Sequence, residues 1–190
     1  MATVTNTFYP GTYSSDSSFG SMTNATNPVG KGSDNTTYAE FTSDIRSSTL
    51  YPAKVYWPFD VSVIPEDATI DSVACNVKVC VTSTTFIDST SIRLCSGTTA
   101  KGSSTSFTST SATVRSLSVG DWTRSELADC RLYIYAMPNF VMDATVRFYG
   151  ADLTVTYTYQ SEKFMIKSGG SWEEVAKAYK KINGVWTEQT

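Results

Sequence analysis

From Ile70 to Thr82 the chain alternates with period two. Val73, Cys75, Val77, Val79 and Val81 fall on one side, and Asn76, Lys78, Cys80 and Thr82 on the other. Extended backbone sends successive side chains to opposite faces, whereas a helix repeats every 3.6 residues, so this run specifies a long strand with one face on a core. The same period recurs in Val55-Tyr-Trp-Pro-Phe-Asp-Val61, where Val55, Trp57, Phe59 and Val61 share a face. Pro58 inside that run removes a backbone donor, which predicts an edge or a bulge.

Weaker strand patterns cover Thr3 to Tyr9, Tyr38 to Thr42, the neighbourhoods of 90–96, 104–108 and 112–118, Cys130 to Ala136, and Thr145 to Tyr159. Gly150-Ala151 within the last predicts a bulge. Ile64-Pro-Glu-Asp-Ala-Thr69 reads as a turn. Thr123 followed by Glu126 fits a capping box on one short helical turn, with Trp122 as the staple residue. The segment from Gly11 to Asn35 is long for a loop, a length usually associated with function or partial mobility. Seven or eight closely spaced strands without a long helix predict two packed antiparallel sheets over residues 1–160. A jelly roll is the expected arrangement, and a barrel is the alternative.

Ser and Thr make up more than a quarter of the 190 residues, which suits strands with polar outer faces. The net charge is −3, with both signs scattered and no Lys/Arg stripe, so nucleic-acid binding is not expected. No apolar stretch approaches the length of a membrane span. The start, MATVTNTFYPG, lacks a basic segment and an apolar core, so no signal peptide and synthesis in a cytoplasm are expected. Asn24-Ala-Thr26 and Asn35-Thr-Thr37 match the glycosylation pattern, which carries no weight without secretion.

There is no histidine, and the cysteines at 75, 80, 95 and 130 lack metal-binding spacing. Cys75 and Cys130 share parity with core positions. Cys80 and Cys95 have the opposite parity and are expected on the other faces. In a reducing cytoplasm no disulfide is expected.

Residues 161–190 read as a separate three-stranded β-module. Ser168-Gly169-Gly170 marks one turn, and Asn183-Gly184 is a strong hairpin signal. Glu173 to Ile182 has a helical alternative, with Glu173 and Lys177 one turn apart and Asn183-Gly184 as a C-cap. Three strands are a minimum for such a unit. Trp172, Tyr179 and Trp186 are therefore expected to dock on residues 1–160 or on another protein, which would make the module an attachment element.

The Trp-strand, Asn-Gly, Val185-Trp186 pattern resembles a small module found at the ends of phage virion proteins. Ile64-Pro-Glu-Asp-Ala-Thr-Ile70, Asp121-Trp-Thr-Arg-Ser-Glu-Leu127 and Tyr149-Gly-Ala-Asp-Leu-Thr-Val-Thr-Tyr157 resemble jelly-roll-like proteins of phages and prophages of Gram-positive bacteria. Asn24-Ala-Thr-Asn27 with the following Gly-Ser-Asp and Tyr38-Ala39 is similar to a loop and strand of the same group. The resemblance implies a virion structural protein of the head or tail, partnered by other virion proteins and by copies of itself, a trimer being one arrangement. It implies no catalytic residue and no cofactor.

Candidate interface residues are Trp172, Tyr179 and Trp186, together with Met137, Phe140 and Met142 in Met137-Pro-Asn-Phe-Val-Met142. That loop would be an apolar contact if exposed and a sandwich end if buried. Tyr133 and Tyr135 are out of phase with Leu132 and Ile134 and are expected to face outward. They could pack against a neighbouring subunit. With Tyr13, Phe19 and Phe140 they could instead hold a host-surface glycan. Catalysis is not expected. Imidazole-based triads are impossible, and the carboxylates of Glu66, Asp67, Asp121, Glu126 and Asp152 all have structural uses in turns, a helix cap or a strand face.

Overall fold

The computed structural model describes residues 1–15, 21–46, 49–51, 53–85, 87–139, 145–160, 165–168, 171–174, 178–182 and 185–189. Side chains are described for 1–15, 21–43, 54–85, 87–139 and 145–160. The strands in the first part of the chain are β1 (Ala2–Phe8), β2 (Ser14–Ser15), β3 (Ser21–Thr23), β4 (Ala39–Thr42), β5 (Asp44–Arg46), β6 (Thr49–Tyr51) and β7 (Ala53–Pro58). The middle holds β8 (Thr69–Val81), β9 (Ile87–Ser96), β10 (Thr99–Ser106), β11 (Thr113–Ser116), the helical turn α1 (Arg124–Leu127), β12 (Cys130–Pro138) and β13 (Thr145–Tyr159). Four more follow: β14 (Met165–Ser168), β15 (Ser171–Glu174), β16 (Ala178–Ile182) and β17 (Val185–Gln189).

Two antiparallel sheets form the body. One runs β11-β8-β13-β4-β3, with β1 joined to the other half of β13, and the second runs β10-β9-β12-β7-β2. Taking β4 and β7 to β13 as strands one to eight, the sheets read 6-3-8-1 and 5-4-7-2. This is the jelly-roll order, in which consecutive strands cross between sheets except for the hairpin of strands four and five. The expected all-β sandwich is therefore present, and the barrel is not.

Period two explains the core. Val55, Trp57, Phe59 and Val61 from the second sheet are buried, as are Cys75, Val77, Val79 and Val81 from the first. Trp57 lies at the seam, its ring 4.4 Å from that of Phe148 and 6.2 Å from those of Phe41 and Tyr13. Pro58 ends β7 beside the two-residue edge strand β2. The Phe59 amide donates to the Cys130 carbonyl at 3.0 Å. Because donors alternate sides, the donor missing at Pro58 would have pointed away from β12, towards the edge, where its loss costs little.

The long N-terminal segment is tied down from Asn24 to Thr37. The Asn35 amide donates to the Tyr149 carbonyl at 2.6 Å, and the Lys78 ammonium donates to the Asn35 carbonyl at 2.8 Å. The Ser33 amide donates to Asp152 at 3.0 Å, and the Ala151 amide to the Lys31 carbonyl at 3.2 Å. The predicted bulge occurs where β13 shifts register against β8 between Phe148 and Gly150. It lets the loop backbone reach the strand: a Cβ at Gly150 would collide with the carbonyl oxygens of Lys31 and Gly32. Asn35 is thus held against β13 by its own amide.

Beyond residue 160 the described segments are strands, paired β14 with β15 and β16 with β17. The expected three-stranded unit becomes four strands in two ladders. Residues 178–182, the second half of the stretch with a helical alternative, are extended, and Ile182 pairs with Val185 across Asn183-Gly184.

Trp57→Ala should lower unfolding stability by roughly 3–5 kcal/mol in a denaturant titration, the range for deleting a large buried aromatic. The Trp57 indole N–H finds no acceptor among the described residues. Trp57→Phe, which removes that donor and keeps a ring, should therefore cost clearly less than Trp57→Ala.

Candidate binding surface on the second sheet

Strand β12 sets the outer face of the second sheet. Cys130, Leu132, Ile134 and Ala136 point into the core, and Arg131, Tyr133, Tyr135 and Met137 alternate with them. Neighbouring strands place Tyr56 and Arg93 opposite Tyr133, with Lys54 and Ser91 opposite Tyr135. A continuous ladder of rings and cations results. The Arg131 guanidinium lies 4.7 Å from the Tyr56 ring, Tyr56 is 5.0 Å from Tyr133, and Tyr133 stacks on Tyr135 at 5.9 Å. The Lys54 ammonium lies 4.8 Å from the Tyr133 ring. Cross-strand aromatic and cation–π pairs of this kind are each worth on the order of 0.5–1 kcal/mol at such sites.

Tyr133 has the expected outward parity but is 0% exposed, so it is not an available contact residue. Alternation fixes the face, whereas exposure depends on neighbours. Here the Tyr56 ring packs against the Tyr133 ring and the Lys54 ammonium lies over it. Cys80 and Cys95 depart in the same way and are buried like Cys75 and Cys130. The Tyr149 hydroxyl sits 3.9 Å from the Cys80 sulfur. All four thiols are free, and burial pushes those of Cys75, Cys80 and Cys130 above the ordinary thiol value, keeping them protonated.

Tyr135 and Met137 are half-buried. They line a recess of about 350 Å³ with Ser89, Ser91, Arg93 and Ser104. Arg93 is fixed there by its Nε and Nη2, which donate to the Tyr135 hydroxyl at 3.2 and 2.7 Å. The remaining guanidinium donors and three serine hydroxyls could hold an oxygen-rich ligand beside the Tyr135 ring. Arg93 and the serines were not singled out by the sequence, although Ser89, Ser91 and Arg93 share the parity that places Cys95 out of phase with Ile92 and Leu94. Phe19, Phe140 and Met142 lie outside the described residues. Trp172, Tyr179 and Trp186 stand opposite Lys167, Glu188 and Lys181 in their ladders, and their side chains also lie outside the description. Tyr13, the remaining loop aromatic, packs on Trp57.

The candidate carboxylates are dispersed. Glu66, Asp67 and Asp121 line three different recesses. Asp152 accepts from the Ser33 amide and hydroxyl. Glu126 closes the predicted capping box: its carboxylate accepts from the Thr123 amide at 2.8 Å, and its own amide donates to the Thr123 hydroxyl at 3.3 Å. Lys101 bridges the same carboxylate at 2.8 Å while lying 5.3 Å from the Trp122 ring. No family model, curated protein or solved structure matches this chain.

The Lys101 ammonium, followed by the Thr123 donors, holds the Glu126 carboxyl down at about 2. A carboxylate lowered by folding stabilises the fold above its ordinary value near 4.3, and that contribution fades as the pH falls to the folded value. Glu126→Gln should therefore be less stable than the parent at neutral pH. The gap should close between about pH 4.3 and pH 2 in thermal melts.

Proposed function

We propose that this chain is a non-enzymatic structural protein of a tailed-phage particle. It would be carried on the particle surface as a capsid decoration or head fibre, or as a tail-tip or fibre component. The observation that carries this reading is the use made of polar side chains. Asn35, Lys78 and Asp152 hold a loop onto β13, Glu126 and Lys101 hold α1, and the Arg124 Nε donates to the carbonyls of Ile64 and Pro65 at 2.9 and 3.2 Å. Such bonds fix turns and loops on a jelly roll, which suits a rigid building block. The resemblance of the turn and strand-end motifs to virion proteins of Gram-positive phages supports the setting. The β-strands after residue 160 are assigned to attachment, with other virion proteins as partners.

Purified particles should contain the chain at on the order of tens to hundreds of copies, as symmetric reuse of one subunit implies. Deleting residues 161–190 should leave a soluble β-sheet protein that incorporates poorly. Quantitative mass spectrometry of particles checks both, and absence of the chain from particles would overturn the reading.

A second reading, recognition of a host-surface saccharide, is favoured by the recess at Arg93 and Tyr135. Flat rings stack on sugars, while guanidinium and hydroxyl donors orient their oxygens. On this reading the purified protein binds host cell-wall glycan, and Arg93→Ala or Tyr135→Ala weakens binding about tenfold or more. A parent protein that fails to bind the glycan in calorimetry would remove it.

A further inference from the structure

An open sheet edge presents unpaired amides and carbonyls to any strand of matching shape, and folded proteins blunt such edges with charge, proline, bulges, shortness or a covering segment. In this molecule β2, β3, β5 and β6 have two or three residues. Strand β11 has four and carries Arg115. Strand β10 carries Lys101, shifts register between Lys101 and Thr105, and has the Ser118 carbonyl against Gly102. The ladders after residue 160 have strands of four or five residues, each pair bearing Lys and Glu.

Strand β1 differs on every count. Its seven residues, Ala2-Thr-Val-Thr-Asn-Thr-Phe8, include no charge and no proline. They pair with β13 in unbroken register from Ala2–Tyr159 to Phe8–Leu153. Among the described residues no strand pairs with its other edge. Beside β13 the sheet is two strands deep where β4 and β3 lie and one strand deep where β1 lies. The step leaves a lane one strand wide along β1.

The composition of β1 indicates what fits the lane. On the outer face Thr3, Thr5 and Thr7 meet Thr158, Thr156 and Thr154, with hydroxyl oxygens 3.1, 2.9 and 3.3 Å apart. An antiparallel second β1 centred on Thr5 would repeat this motif, with Thr3 opposite Thr7, Thr5 opposite Thr5, and Thr7 opposite Thr3. Threonine pairs of this kind stabilise neighbouring strands. Val4 would face Asn6 on the inner side. No like charges meet, and every threonine stays on the outer face because the pairing preserves parity.

We propose that β1 is a self-association edge: two copies of this chain pair β1 to β1, antiparallel about Thr5, and join their first sheets into one. The contact is isologous and closes as a two-fold dimer. It follows from the edge alone and does not depend on the virion reading.

Sedimentation of the full chain over a concentration series should show a monomer–dimer equilibrium. Thr3→Lys/Thr7→Lys places lysine opposite lysine twice across the seam and should raise the dissociation constant about tenfold or more. Thr3→Lys/Thr7→Glu loses the same hydroxyls but places opposite charges across the seam, so it should dimerise as well as the parent or better. Thr5→Cys places a thiol opposite its own copy, at the roughly 4.5–5.5 Å Cα spacing of directly opposed residues, which a disulfide spans. Copper-phenanthroline in air should therefore crosslink it to a covalent dimer on a non-reducing gel, even if the lysine variant does not fold. A monomer throughout the series, a dimer indifferent to the lysine pair, a closed trimer, or no Thr5→Cys crosslink would each overturn the proposal.

Discussion

The contact between Trp57 and Phe148 joins the two sheets, and much of the architecture depends on the strand that carries Phe148. Strand β13 pairs with β8, β4 and β1, so it touches both halves of the first sheet. Phe148 points inward to the tryptophan. Next to it, the Tyr149 carbonyl accepts from Asn35, and the bulge at Gly150 admits the backbone of residues 31 and 32. Core packing and loop anchoring are therefore coupled within three consecutive residues. A change in the height of β13 over the second sheet would disturb the aromatic seam and the anchor together.

The polar chemistry has a similar economy. Side chains that might serve reaction or recognition elsewhere are mostly engaged in holding backbone: Asn35 on carbonyls, Arg124 on the turn after Ile64, Glu126 on its own helix cap. The outer face of the second sheet carries a ladder of rings and cations, and there Tyr135 and Arg93 fix one another. Both readings of the function meet on that surface, because a rigid ring beside an oriented guanidinium suits either a protein neighbour or a sugar.

Period two was enough to assign the long strands and their inward faces, because burial of alternate residues is a property of local backbone, whereas the short strands β2, β3, β5 and β6 were not legible and β10 begins earlier than expected. The capping box at Thr123 and the bulge at Gly150 were legible for the same reason. Exposure was not. Tyr133, Cys80 and Cys95 have outward parity, yet all three are buried, and Tyr133 and Cys80 each meet a neighbour that only strand pairing brings to them. Tyr56 lies 77 positions from Tyr133, and Tyr149 lies 69 from Cys80. The anchoring of the loop before Thr37 was hidden likewise, since Asp152 and Tyr149 meet it from more than a hundred residues away. Arg93 carried no local signal beyond its phase, and its role emerges only when β9 and β12 lie side by side.

The pairing of β1 with β13 also sets an order of events during synthesis. The Thr3 and Thr158 hydroxyls that meet in the sheet are separated by 155 positions. Strand β1 is made well before β13 and must wait for almost the whole sandwich before its partner exists. Contacts of such sequence separation close late and slow folding. Through that interval an uncharged strand is unpaired on both sides, and neighbouring nascent chains on one message present the same segment at high local concentration.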